Sequence, residues 1–134
     1  MWICPECGRK FSRNRQSHSC EQYDPELQFI GKSQKARDLY NLVIEKVQAF
    51  GEIEINPQKW NITIRRLKTF MAIMVEKDHL TVVLISDRQV DDFPIHQSYH
   101  HSAQRWSNAL KIESPDEIDD QLLQWLKEAF DLAI

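Results

Sequence analysis

The sequence predicts an α+β fold: an N-terminal zinc knuckle followed by a helix, a mainly antiparallel sheet of about five strands and a C-terminal helix. Three observations carry this reading. All three cysteines of the 134-residue chain fall within its first twenty positions. Residues 33–50 and 114–130 repeat apolar side chains at helical spacing. Between them lie short runs of β-branched and aromatic residues, joined by connections too brief for a helical crossover.

The knuckle comes first in the chain. Cys4-Pro5-Glu6-Cys7-Gly8-Arg9 precedes His18-Ser19-Cys20. Two cysteines separated by two residues can turn both sulfurs onto one ion, and Gly8 suits the turn because it accepts positive φ. Cys4, Cys7, His18 and Cys20 then complete a tetrahedral set, although His-x-Cys is tighter than the spacing usual in fingers. Four protein ligands leave no open position for water, so Zn2+ here is expected to be structural. The competing reading is a small disulfide knot, which an odd number of cysteines leaves with one thiol over. Met1-Trp2-Ile3 lacks the features of a signal peptide, and no stretch approaches the roughly 18 apolar residues of a membrane span. A soluble cytoplasmic protein with no membrane partner is therefore expected, in a compartment where clustered Cys and His favour metal.

Organisation follows from composition. The chain is 42% hydrophobic, with three glycines, five prolines and no repeats, which suits one ordered domain carrying an appended knuckle. The expected division is a zinc finger at 1–22, a linker and docking segment at 23–32, and an α+β domain at 33–134. Leu27, Phe29 and Ile30 are the docking candidates. The net charge of −3 is uneven. Residues 1–20 hold four basic side chains against Glu6 alone, while the remainder holds 13 basic against 19 acidic.

Leu39, Leu42, Val43, Val47 and Phe50 form one stripe of the first helix, with Ser33 as N-cap and Gly51 past its end. Strands are expected at Glu52–Asn56, Trp60–Ile64, Thr69–Glu76, Leu80–Ile85 and Arg105–Ile112. In the second, Trp60, Ile62 and Ile64 share one face. Phe70 to Val75 is apolar throughout, as in a central strand whose second face is partly covered by the knuckle or a partner subunit. Ser114-Pro115-Asp116-Glu117 reads as the start of the last helix, with Ser114 capping and Glu117 closing a capping box. Ile118, Leu122, Trp125, Leu126, Ala129 and Phe130 line its buried stripe.

Two segments bear on function. Arg9, Lys10, Arg13 and Arg15 are candidate nucleic-acid contacts, with Phe11 or Trp2 available for base stacking; alternatively Phe11 packs inside the knuckle and Trp2 covers the metal. A protein partner is the other class of contact for this surface. His96, His100 and His101, preceded by Asp87, Asp91 and Asp92, suggest a hydrolase or nuclease-like enzyme. In a strand, however, His101 opposes His96 and His100, and a polar edge strand explains the segment as well. A third possibility is a small-ligand domain whose pocket is lined by Trp60, Trp106 or Tyr99, although core packing is the plainer role for them. No Gly-rich phosphate loop, nucleophile elbow or His-Glu-x-x-His motif is present, so there is no positive case for catalysis.

The run Trp2-x-Cys4-Pro5-x-Cys7-Gly8-Arg9-x-Phe11 with Asn14-x-Gln16-Ser17-His18-Ser19-Cys20 resembles the short N-terminal finger ahead of a bacterial domain family of unknown function. The resemblance continues through Arg37-Asp38-Leu39-Tyr40, Lys68-Thr69-Phe70-Met71-Ala72, Ile118-Asp119 and Ala129-Phe130. It implies a compact α+β module and the ligand set Cys4, Cys7, His18 and Cys20. Related domains occur joined to nuclease-like or restriction-associated regions, and some carry transport labels. The resemblance implies no catalytic residue.

Overall fold

A computed structural model describes residues 1–134. Its elements are β1 (Trp2–Ile3), β2 (Lys10–Phe11), α1 (Gln34–Gln48), β3 (Glu54–Pro57), β4 (Ile62–Arg65), β5 (Thr69–Val75), β6 (Leu80–Ser86), β7 (Gln97–Ser102), β8 (Arg105–Ile112) and α2 (Asp120–Leu132). β1 and β2 make a small antiparallel pair, and the other six strands form one antiparallel sheet in the order β3-β4-β5-β6-β8-β7. The fold is α+β, with six strands in the main sheet where about five were expected.

Alternation decides which face is dry. Ile62, Ile64, Met71, Ile73, Val75, Leu80, Val82, Leu84, Leu110 and Ile112 are buried in one cluster with Leu39, Val43 and Val47 of α1 and Leu122, Leu126, Ala129 and Phe130 of α2. Both helices therefore lie on this face. The opposite face carries Thr63, Ala72, Met74, Thr81, Val83 and Ile85, all half-buried. Apart from Met74 its residues are small or β-branched, and no helix packs on them. The knuckle covers only the β3–β4 end of it, leaving Ala72 and Met74 part-exposed.

Helix α1 starts where the caps dictate: Ser33 Oγ accepts from the Ala36 N–H. At the other helix the expectation needs correction. Pro115–Glu117 is a separate 3-10 turn, and Ser114 makes no side-chain cap bond. Glu117 instead accepts from Glu113 N–H and Ser114 Oγ–H. The working N-cap of α2 is Asp119, whose carboxylate accepts from the Leu122 N–H. Between residues 23 and 32, Pro25–Phe29 forms another 3-10 turn capped by Asp24. Phe29 packs edge-on against Tyr40 at 5.1 Å, whereas Leu27 and Ile30 stay exposed. The buried anchor of this segment is polar: Gln28 donates to the carbonyls of Gln58 and Lys59.

The sixth strand, β7, was hidden because Gln97–Ser102 is a polar edge strand wet on both faces and so shows no alternation. It joins the sheet through β8, and Asn108 of β8 organises the junction. Asn108 is fully buried; its Oδ1 accepts from Val90 N–H and Ser98 Oγ–H, and its Nδ2 donates to Ser86 Oγ and the Arg88 carbonyl. All four partners lose their bond together if the amide is removed. Asn108→Ala should destabilise the fold by about 3 kcal/mol, since orphaned buried polar groups each cost about 1–3 kcal/mol. A urea midpoint equal to that of the unaltered chain would contradict this assignment.

Candidate metal centre

The knuckle is held by its backbone before any ligand is counted. The Gly8 N–H donates to the Cys4 carbonyl at 2.8 Å and the Cys4 N–H to the Arg9 carbonyl at 2.9 Å, with Gly8 at φ +75°. This closes the turn that presents Cys4 and Cys7. The return loop is clamped by Arg9, whose guanidinium donates to the carbonyls of Ser19 and Glu21 at 2.7 and 3.0 Å.

These constraints bring Cys4, Cys7, His18 and Cys20 together, with all four donor atoms within 4.8 Å of one another. Cys4 Sγ lies 3.7 Å from Cys20 Sγ, and His18 Nε2 lies 3.3 Å from the sulfurs of both Cys7 and Cys20. A tetrahedral ion with metal–sulfur bonds of about 2.3 Å and metal–nitrogen bonds of about 2.0 Å has edges of about 3.7 and 3.5 Å. The donor set thus fits a metal ion in geometry and in chemistry, and none of the cysteines is in a disulfide. On the far side of the imidazole, His18 Nδ1 lies 2.7 Å from the Gln16 carbonyl. An N–H donated there leaves the Nε2 lone pair aimed at the cluster.

The thiols differ in their readiness to ionise. The Cys7 backbone N–H, aided by that of Glu6, holds the Cys4 thiol down to about 6. Burial first, and then the Cys4 and Cys7 sulfurs, push Cys20 up to about 12. His18 is raised, chiefly by the Gln16 carbonyl.

The knuckle docks on the helix-free sheet face around one buried side chain, with Glu54 and Glu52 of the body also bonding Lys10. Arg65 is 6% exposed. Its guanidinium donates to the Lys10 carbonyl of the knuckle and the Leu67 carbonyl of the body, pairs with Glu54 at 3.3 Å, and lies 4.3 Å from the Phe11 ring centroid. Phe11 is 4% exposed and packs tilted against His18 with ring centroids 4.3 Å apart, so it cements the docking and is not a free stacking surface. Trp2 lies against both rings at 5.8 and 5.9 Å. Lys10 turns to Glu52 on the body. Of the four basic residues singled out in the sequence, Arg9 and Lys10 are therefore engaged within the chain, and Arg13 and Arg15 are exposed.

Residues 26–133 match a protein family described as Domain of unknown function (DUF5655). The chain belongs to this family. The Cys4-Cys7-His18-Cys20 cluster lies ahead of the matched region, while Arg65 and Glu54, which receive the knuckle, lie within it. No curated protein and no solved structure matches the chain. No helix of this family member is long and apolar enough to cross a membrane.

The histidine segment does not converge. His100 stacks on Trp106 at 4.1 Å, His101 Nε2 lies 2.6 Å from Ser107 Oγ on the opposite face, and His96 is exposed before the strand begins. Asp87, Asp91 and Asp92 are exposed as well. The three aromatics suggested for a pocket or the core are also apart. Tyr99 and Trp106 sit on β7 and β8 at one end of the sheet, and Trp60, 78% exposed, sits at the other. Trp60 lies outside β4, in a turn closed by the Gln58 N–H bonding the Asn61 carbonyl at 2.7 Å, so strand alternation does not govern it. Pro57-Gln58 just before it was the available signal for a turn.

The cysteine pKa values set a pH dependence for metal entry. Cys4 is pulled down and Cys20 pushed up, so Cys20 is the harder of the two to ionise in the metal-free cluster. A metal needs both as thiolates, so binding must expel a proton from the cluster and affinity must climb with pH. Calorimetric titration in two buffers of different ionisation heat should show at least one proton released per metal. Identical heats would count against it.

Proposed function

We propose that the chain is a non-catalytic binding module in which Zn2+, held by Cys4, Cys7, His18 and Cys20, shapes a knuckle that contacts nucleic acid. The observation that carries this is the closed donor set: three thiolates and an imidazole at tetrahedral spacing saturate the ion and leave no site for a reacting water. Thiolate and imidazole donors at these spacings suit zinc better than the hard, oxygen-seeking cations. The knuckle supplies the shape, and exposed charge supplies the contact. Arg13 and Arg15 project from its loop without an ion-pair partner.

Arg15 adds a second point of support. It sits at φ +54°, in the left-handed region where glycine is at ease and other residues pay about 1 kcal/mol. An arginine kept in such a position is more easily explained by its charge than by its backbone. Arg15→Gly should therefore leave the knuckle at least as stable while removing a phosphate contact.

Metal analysis should give about one Zn2+ per chain, and Cys7→Ser should lower it. Zinc-loaded protein should bind DNA or RNA oligonucleotides at low salt with an affinity that falls steeply as salt rises. The double variant Arg13→Gln/Arg15→Gly should reduce the slope of log K against log salt by about 0.7 per lost phosphate on single strands. Absence of nucleic-acid binding at low salt would move the proposal to a protein partner at the same surface.

A further inference from the structure

Between the docked knuckle and the β3–β4 hairpin lies an open cleft of about 620 Å³. That volume falls within the range of small-molecule sites, about 300–1,000 Å³. Its fifteen lining residues include Arg9, Lys59 and Arg65 and not one carboxylate, in a chain whose body is acidic. Glu54 answers Arg65 from outside that lining. Arg9 bonds only neutral carbonyls, and Lys59 has no ion-pair partner, so the cleft is electropositive.

Two further observations concern what would enter. Trp60 displays its indole at the rim, 78% exposed, with Lys59 Nζ 5.3 Å from the ring centroid. A flat aromatic beside a cation is the arrangement that stacks a base and meets its phosphate. Asn56 and Asn61, on either side of the same turn, both line the cleft. Asn56 Nδ2 is a buried donor and Asn61 Oδ1 a buried acceptor, and neither has a partner. Buried polar atoms left unpaired are few in folded proteins and call for a ligand or water. One free donor and one free acceptor match the edge of a nucleobase, which offers both kinds of group.

We infer that the cleft between the knuckle and the β3–β4 hairpin binds an unpaired nucleotide, its base stacked on Trp60, its edge read by Asn56 and Asn61, and its phosphate met by Lys59. The inference rests on the nucleic-acid reading above and narrows it to single-stranded substrate, because a base inside a duplex cannot stack on Trp60. The shared chemistry is a nucleobase with its phosphate, whether in a strand or as a free nucleotide.

The test uses the zinc-loaded full chain, a 12-nucleotide mixed-sequence single strand as DNA and as RNA, the corresponding duplex, and AMP and UMP. The single strands should quench tryptophan emission and bind at least about tenfold more tightly than the duplex. Trp60→Ala, at an exposed position that should not disturb folding, should weaken binding at least about fivefold, the lower bound for one stacked base. Asn61→Leu should also weaken binding; were Asn61 only structural, the change would raise stability and leave affinity alone. AMP competing at concentrations near that of the 12-mer identifies a free nucleotide as ligand, and a requirement for large excess identifies a strand; both uphold the nucleotide chemistry. Wild-type affinity in Trp60→Ala and Asn61→Leu, with loss only in Arg13→Gln/Arg15→Gly, overturns the cleft and leaves the knuckle reading intact. The reverse pattern overturns the knuckle arginines and upholds the cleft. Failure of every probe to bind at low salt overturns both.

Discussion

The burial of Arg65 is the constraint on which the arrangement of knuckle, sheet and cleft depends. An arginine on the helix-free face of β4 has to be answered on all sides if it is taken out of water, and four residues from three parts of the chain answer it. Lys10 and Leu67 give carbonyls, Glu54 gives charge, and Phe11 gives a ring face. Burial pulls the Arg65 pKa below the ordinary arginine range, while Glu54 and Cys7 push it back and Arg9 opposes them. Removing the knuckle would leave a charge half-answered on an open sheet face, a larger loss than that of an exposed ion pair. Docking is therefore specified by a polar site with one strict geometry and only one large apolar contact, Phe11.

That dependence runs back to the metal cluster. The knuckle's buried residues are Cys4 and Phe11, far too little apolar surface to hold twenty residues in place. Phe11 packs tilted against His18, and His18 is oriented by Gln16 at Nδ1 and by the cluster at Nε2. The ring that receives Arg65 is thus positioned through the His18 imidazole. A chain of short contacts connects the four donors, Phe11 and Arg65 to the cleft wall, and each link fixes the orientation of the next.

What was legible in the sequence was local. Cys4, Cys7, His18 and Cys20 declared themselves by spacing, because a turn and a short loop are enough to bring them together. Ser33 capped α1 as its position predicted, and β5, β6 and β8 showed their apolar runs. Legibility failed where tertiary structure overrides a local signal. Ser114-Pro115 has every mark of a helix start, yet the chain spends it on a 3-10 turn and caps α2 at Asp119. β7 has no apolar face to betray it, being recruited through Asn108 and β8. Trp60 matched the alternation of Ile62 and Ile64 by parity alone, since the turn at Gln58–Asn61 breaks the register that parity assumes. Nothing local marked Arg65 as the receptor for the knuckle, because its partners Lys10, Phe11 and Glu54 lie 11 or more residues away in the chain.

The charges of the knuckle then divide by task. Three thiolates and a neutral imidazole around a divalent ion would carry a net charge of about −1. Arg9 clamps the loop through the carbonyls of Ser19 and Glu21 on either side of Cys20 and meets no carboxylate. Lys10 is absorbed by Glu52, and Arg65 by Glu54. The positive charge left over is carried by Arg13 and Arg15 on the loop and by Lys59 beside Trp60. The body's acidic excess is thus broken at the knuckle loop and beside Trp60, and that asymmetry is the physical basis on which the proposed contact with an anionic ligand rests.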